Sequence, residues 1–133
     1  MKIATLVIRT LFGLGFIVFG LNILHPFLPM PPPPEGLPGQ FMAAMVPSHW
    51  MELVGFFQLL GGILVIIGRT APLGLTILAP ILVNILAFHL FLTGGAELGA
   101  GVVFSTMELF LVYAYRAHFS GIFTTQAKPN EEQ

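Results

Sequence analysis

The chain has 133 residues, of which 56% are hydrophobic and only 8% are Asp, Glu, Lys or Arg. Soluble domains carry about 25% charged residues, so this composition argues against a soluble enzyme and against a disordered protein. The formal net charge of −1 provides no field that would attract nucleic acid, and we expect no nucleic-acid partner. Because the sequence contains no cysteine, it has no disulfide, no iron–sulfur cluster and no thiolate zinc site.

Four apolar blocks occur along the chain, and each is long enough to cross a membrane as a helix. They cover about residues 3–24, 50–67, 71–92 and 99–117. A span of about 20 residues crosses the hydrocarbon core at about 1.5 Å per residue. Pro80 lies inside the third block, where neighbouring helices can satisfy the carbonyl that it frees. The sequence therefore predicts an all-α fold, an integral membrane four-helix bundle that forms a single domain over residues 1–120.

All five Lys and Arg residues fall on one side of this predicted bundle. They lie at the start of the first block, between the second and third blocks, and at or after the end of the fourth: Lys2, Arg9, Arg69, Arg116 and Lys128. Segments rich in Lys and Arg stay in the cytoplasm, so we predict that both termini are cytoplasmic. A polar cytoplasmic tail is predicted over residues 121–133.

The loop between the first two blocks, residues 25–49, is rich in proline and is predicted to lie on the outer side. Its HPFLPMPPPP segment is too rich in proline for a helix. It also has no small-x-small cleavage site, so we interpret the first block as a retained helix rather than a signal peptide. The stretch from Gln40 to Val46, ended by Pro47, is predicted to form a short apolar helix that either lies at the outer membrane surface or plugs the top of the bundle.

Polar side chains inside the apolar blocks are the candidate functional residues, since such groups are costly in a membrane. Counting about 1.5 Å per residue from each outer boundary places them in the outer half, with Glu108 close to the midplane. They share helix faces with small residues, so these faces are expected to point at one another. We predict a ligand-binding pocket formed by Asn22, Gln58, Asn84, His89 and Glu108.

A purely structural role is the alternative for several of these polar residues. Gln58 and Asn84 can form hydrogen bonds that only hold helices together. Arg9, which enters the membrane from the cytoplasmic side, can reach toward Glu108 and form an ion pair with it. The helices themselves are predicted to pack through four glycines: Gly13, Gly20, Gly61 and Gly62.

Three histidines near the outer end invite a metal or haem hypothesis, but their spacing does not favour it. His25, His49 and His89 include no pair at i, i+3 or i, i+4, the spacing of a metal site on one helix. Only His89 is clearly within a helix, whereas a haem held by two histidines needs both at matched depth. We therefore predict no metal site and no intrinsic cofactor.

Together these segments resemble the DoxX family of small four-helix membrane proteins, in particular its short DoxX-like branch. The resemblance rests on IRTLFGLGFIVFGLN and HPFLPMPPPP, on ELVGFFQLLGGILVIIGR, on PLGLTILAPILVNILAFHLFL and on MELFLVYAYRAHF. It extends from Ile8 to Phe119, and NILAFHLFL and FLPMPPPP are its most specific parts. It implies a bacterial inner-membrane protein that is associated with quinol-linked oxidoreductases.

The first functional hypothesis is a redox-associated subunit that binds a quinone or a similar amphiphile between its helices and passes electrons through a membrane-protein partner. The alternative is a non-catalytic accessory or assembly subunit of a larger membrane complex, with lipid in its crevices. Both hypotheses are compatible with a protein that forms a homo-oligomer. A transporter or channel ranks lower, because no continuous polar face crosses the cytoplasmic half.

Overall fold

The computed structural model describes residues 1–130, and over that range helices are its only regular secondary structure, with no strand. Its α-helices are α1 (Lys2–Leu24), α2 (Leu37–Met45), α3 (Trp50–Ile67), α4 (Ala71–Ala87) and α5 (Leu98–Ala114). A π-helical turn, Phe88–Leu92, continues α4, and two 3-10 turns, Arg116–His118 and Ser120–Phe123, follow α5.

Three helical segments are long and apolar enough to cross a membrane, namely Lys2–Leu24, Trp50–Ile67 and Ala71–Leu92. The fourth, Leu98–Ala114, is a shorter apolar helix. Large apolar side chains such as Leu109, which is 71% exposed, cover the outside of the bundle. Such a surface suits lipid rather than water, so the architecture is that of a multi-pass membrane bundle.

The four long helices form a closed ring in which each contacts two neighbours. The contacting pairs are α1 with α3, α3 with α4, α4 with α5, and α5 with α1. The short helix α2 stands outside this ring and contacts the π-helical turn. The chain order places the basic residues together at one end, and α2 at the opposite end, which we call the loop end.

Glycines bring α1, α3 and α4 into backbone contact. A Cβ atom added at Gly62 would lie 2.7 Å from the carbonyl oxygen of Gly13, and one added at Gly20 would lie 2.7 Å from that of Gly55. A Cβ atom at Gly61 would lie 2.6 Å from a side-chain carbon of Leu78 on α4. The four glycines predicted to pack the helices thus lie at these contacts, where small residues allow close approach in lipid.

The interior consists of an apolar core with a few polar side chains above it. The fully buried side chains come from all four long helices and include Phe12, Val65, Leu75 and Leu111. The buried polar residues are Asn22, Gln58 and Glu108.

Three segment ends differ from the sequence-based expectation, each for a local reason. The short helix begins at Leu37, three residues before the predicted start, because Pro38 suits a first helical turn, where its missing N–H is not needed. The third block changes from α to π geometry at Phe88. The fourth helix ends at Ala114, and the turn that follows packs Phe119 against the core.

The predicted tail, residues 121–133, begins within the last 3-10 turn and continues as exposed chain from Thr124 to Asn130. Its last three residues lie outside the described range.

Candidate ligand-binding cavity

A cavity of about 640 Å³ lies near the loop end between α2, α3, α4 and the π-helical turn. The outer helix α2 contributes Phe41, Met42 and Met45 to its wall, and α3 contributes Trp50 at the rim. Most of the wall is aliphatic or aromatic. Its polar residues are Gln58, Asn84 and His89. Three of the five predicted ligand-binding residues therefore line one cavity.

Gln58 reaches the cavity from the glycine-rich face of α3. Its neighbours on that face, Gly55, Gly61 and Gly62, carry no side chain that competes for the space. The residue is only 5% exposed, and its Oε1 atom is buried without a hydrogen-bond partner within residues 1–130. Leaving a buried polar atom unpaired costs about 1–3 kcal/mol. The Gln58 amide therefore has unused hydrogen-bonding capacity that lowers the stability of the fold.

Asn84 lies one helical turn after Pro80 and uses that turn to orient its amide. Its Nδ2 atom donates a hydrogen bond of 2.8 Å to the Pro80 carbonyl oxygen. Since a carbonyl only accepts, this bond fixes which end of the amide is nitrogen and leaves Oδ1 free to accept. The side chain thus keeps hydrogen-bonding capacity toward the cavity that it lines.

His89 is positioned by the π-helical turn and by the connection from α4 to α5. Its Nδ1 atom lies 3.0 Å from the Ala96 carbonyl oxygen. The Thr93 hydroxyl oxygen lies 3.1 Å from that same oxygen and 2.7 Å from the His89 carbonyl oxygen. Because Ala96 can only accept, Nδ1 carries a proton, and Nε2 of the neutral ring is left as an acceptor. π-helical turns are frequent at functional sites.

Asn22 does not line the cavity, since its hydrogen bonds hold the start of the proline-rich loop. Its Oδ1 atom accepts from the backbone N–H groups of Phe27, at 3.0 Å, and Leu28, at 2.8 Å. Its Nδ2 atom lies 3.4 Å from the Met30 sulfur. The structure therefore places Asn22 apart from Gln58, Asn84 and His89, in the bend that directs the loop away from α1.

Glu108 lies inside the bundle on α5 and is not among the residues that line the cavity. It is 6% exposed, and both carboxyl oxygens are buried without a partner within residues 1–130, as is the Ser105 hydroxyl one turn away. The ion pair with Arg9 is not formed. Arg9 instead donates from Nη1 to the Tyr115 hydroxyl at 2.7 Å, about two turns nearer the end that carries the basic residues.

The remaining histidines at the loop end do not assemble a metal site. His49 bonds to Glu52 through Nδ1 at 2.9 Å, and both side chains are exposed. Within residues 1–130, no three His, Asp or Glu side chains come close enough to hold a metal ion.

Comparison with known proteins matches the DoxX family model to residues 4–91. The chain belongs to the DoxX family. The match runs from α1 into the π-helical turn and so includes Gln58, Asn84 and His89, whereas α5 with Glu108 lies beyond it.

A relative in Bacillus subtilis (strain 168), the uncharacterized protein YwoB, is 38% identical over 77 residues. The aligned region is 57% of this chain and 49% of YwoB, so the chain spans about half the length of this relative. No solved structure matches the chain.

Sequence reasoning allowed for a short helix that plugs the top of the bundle, but it missed the α2 side chains that line the cavity and the loop that holds His89. A signal for the first was present, because Phe41, Met42 and Met45 recur at i, i+1 and i+4 and form one apolar face. No comparable signal marks Thr93 and Ala96. Their role depends on the turn that follows the π helix, where Gly94 and Gly95 have positive φ.

Proposed function

We propose that this DoxX protein binds a quinone or a similar ring-bearing amphiphile in the cavity beneath α2, as a membrane subunit associated with redox chemistry. The observation that carries the proposal is the side chain of Gln58, a buried amide with an unpaired oxygen, which lines a mostly apolar cavity. A ligand that hydrogen-bonds this amide would remove the cost of leaving it unpaired.

The size and the wall of the cavity support a ligand of this class. Pockets for small molecules and cofactors measure about 300–1,000 Å³ and combine apolar walls with a few placed polar groups, and this cavity is about 640 Å³. In the proposed complex, Gln58, Asn84 and His89 hydrogen-bond the polar head. The rings of Phe41, Phe88 and Phe91 and the methionines of α2 contact the apolar part.

The role of Glu108 in this proposal is secondary to that of His89. His89 lines the cavity and can exchange a proton with the head group directly, whereas Glu108 lies deeper on α5. Electrons would pass to or from a partner in the membrane, because the sequence carries no cysteine for a thiol relay or an iron–sulfur cluster.

We also propose that both termini lie in the cytoplasm and that the loop end faces outward from a bacterial inner membrane. The support is the common location of all five Lys and Arg residues at the opposite end of the bundle. The cavity would then open in the outer half of the membrane.

A titration of tryptophan fluorescence tests ligand binding. Trp50 is the single tryptophan and lines the cavity, so a short-tailed quinone that binds there should quench its emission saturably in mild detergent. Gln58→Leu should weaken the apparent affinity about tenfold, the equivalent of one hydrogen bond. Gln40→Leu is the matched control, since Gln40 is exposed on α2 and does not line the cavity. Quenching that never saturates would contradict the proposal.

Native mass spectrometry from mild detergent separates this function from the alternative of an accessory subunit. A bound quinone supports the proposal. A stoichiometric partner chain together with bound phospholipid, and no quinone, supports an accessory or assembly role instead.

A further inference from the structure

The hydrogen bonds behind His89 determine what its ring offers to a ligand. Nδ1–H donates to the Ala96 carbonyl oxygen at 3.0 Å, so Nε2 of the neutral ring has no proton and can only accept. The other residues that line the cavity include no carboxylate that would pair with a charged imidazole. The cavity therefore presents an acceptor at His89.

The segment around His89 is built so that the ring keeps this orientation. The His89 carbonyl oxygen accepts from the Gly95 N–H at 2.7 Å and lies 2.7 Å from the Thr93 hydroxyl. Thr93 Oγ1 also lies 3.1 Å from the Ala96 oxygen, so the hydroxyl stands between the carbonyl of His89 and the carbonyl that accepts from its ring, and its one proton can donate to either. The Phe88 ring meets the imidazole edge-on, with 5.3 Å between ring centroids. Rotation of the ring would break the bond to Ala96.

The other two polar residues of the cavity, Asn84 and Gln58, can each accept a hydrogen bond from the ligand. One N–H of the Asn84 amide donates to the Pro80 carbonyl oxygen, and Oδ1 remains free to accept a hydrogen bond. Gln58 has no hydrogen bond within residues 1–130 to fix its amide, so it can present either its oxygen or its nitrogen. His89 is thus the residue that discriminates, since it offers only a lone pair.

We propose that the cavity selects amphiphiles whose head group carries a hydroxyl at His89 over the matching carbonyl compounds, and that Thr93 is the positioning residue that maintains this selectivity. The inference rests on the proposed function and narrows its ligand class. A carbonyl oxygen opposite Nε2 would bring two lone pairs together and leave the ring nitrogen unpaired. Sites built to hydrogen-bond a hydroxyl discriminate strongly for that reason.

The test compares three probes that share one ring and one short alkyl tail: the hydroquinone, the quinone and the dimethyl ether of the hydroquinone. Quenching of Trp50 is measured under anaerobic conditions in mild detergent. We expect the wild-type chain to bind the hydroquinone about tenfold more tightly than either other probe, the equivalent of one hydrogen bond. His89→Phe keeps an aromatic ring but no nitrogen, and should bind all three probes about equally.

Two further variants address Thr93. Thr93→Val should reduce the selectivity, whereas Thr93→Ser should retain it, because serine keeps the bridging hydroxyl. Thr76→Val is the matched control, since the Thr76 hydroxyl bonds only to the Pro72 carbonyl of its own helix. Nitrogen-15 NMR of the His89 ring gives an independent readout: the Nδ1–H form should dominate in the wild type and in Thr93→Ser, and the two tautomers should mix in Thr93→Val.

The outcomes separate this inference from the proposal on which it rests. Equal binding of the three probes, or tighter binding of the quinone, overturns the hydroxyl selectivity while the cavity remains a quinone site. An Nε2–H tautomer in the wild-type spectrum overturns it as well. Failure of all three probes to bind saturably overturns the proposed function together with the selectivity.

Discussion

The two ends of the bundle differ in how densely their helices pack. Near the basic end, Phe12, Val65, Leu75 and Leu111 pack into a core with almost no exposure. Near the loop end, the space between α3 and α4 is left as a cavity and is covered by α2. In lipid, helix association depends on packing and on interhelical hydrogen bonds rather than on the hydrophobic effect. The dense end therefore holds the helices together, and the open end is available for a ligand.

The polar groups near the two ends differ as well. Arg9, near the basic end, donates from Nη1 to the Tyr115 hydroxyl, while its Nε atom is buried without a partner within residues 1–130. Near the loop end, Gln58 has an unpaired oxygen, and His89 keeps an unused acceptor. Functional sites commonly carry such destabilising features, and the rest of the fold compensates for them. Substitutions at the two ends should therefore change the free energy of unfolding by different amounts. At Gln58 the change should have the opposite sign.

The largest effect is expected from a cavity made in the dense end. Leu111→Ala removes a fully buried side chain and should lower the free energy of unfolding by about 2–4 kcal/mol. Unfolding in mixed micelles with a denaturing detergent, followed by circular dichroism, measures the change. Leu109→Ala, at a lipid-facing position on the same helix, should change it little. Equal losses in both variants would mean that Leu111 is not a core residue.

A side chain added where α1 meets α3 should have the next largest effect. Gly62→Val places carbon atoms where even a Cβ would lie 2.7 Å from the Gly13 carbonyl oxygen, and overpacking of this kind costs about 1–3 kcal/mol. Gly99→Val is the control, because a Cβ there meets no atom within 4 Å. Thermal unfolding in detergent should separate the two variants. Tolerance of Gly62→Val would contradict the close backbone contact.

A smaller loss is expected from the hydrogen bond between α1 and α5. Tyr115→Phe removes the acceptor of the 2.7 Å bond from Arg9 and should cost about 1.5–3 kcal/mol, the range for bonds to charged groups. Tyr113→Phe changes a hydroxyl on the exposed face of α5 and should cost nearly nothing. If Arg9 paired with Glu108 instead, the two variants would have similar stability.

The smallest expected effect is an increase, rather than a decrease, in the free energy of unfolding. Gln58→Leu replaces a buried, unpaired amide with an apolar side chain of similar size, and should raise the stability of the ligand-free chain by about 1 kcal/mol. The same variant should bind a quinone more weakly. Gln40→Leu, on the exposed face of α2, should change neither property. A loss of stability in Gln58→Leu would indicate that the amide serves packing rather than binding.

Much of this fold follows from hydropathy, because membrane spans are set by length and apolar composition. The blocks at 50–67 and 71–92 coincide with helical segments of the same bounds. The glycine positions also follow, since close helix contact in lipid requires small residues. The helix ends follow less well. The last helix stops at Ala114 because packing of Phe119 in three dimensions, which no local pattern encodes, turns the chain.

The candidate site could be predicted only in part, because helix periodicity gives depth and face but not contacts. It grouped Gln58, Asn84 and His89, which line one cavity. It could not show that backbone N–H groups of the loop donate hydrogen bonds to Asn22, or that Arg9 donates to the Tyr115 hydroxyl. Both partners lie in segments whose path depends on turns. The bond from His89 to Ala96 spans such a turn as well.

Photoaffinity labelling tests the central claim, ligand binding beneath α2, most directly. A short-tailed azidoquinone is activated on the protein in mild detergent, and the labelled residues are mapped by mass spectrometry with and without excess unlabelled quinone. Binding in the cavity predicts labels, suppressed by the competitor, on residues 41–58 and 81–92, which contain its lining. Labels spread over the lipid-facing side of α5 around Leu109, and not reduced by the competitor, would contradict it.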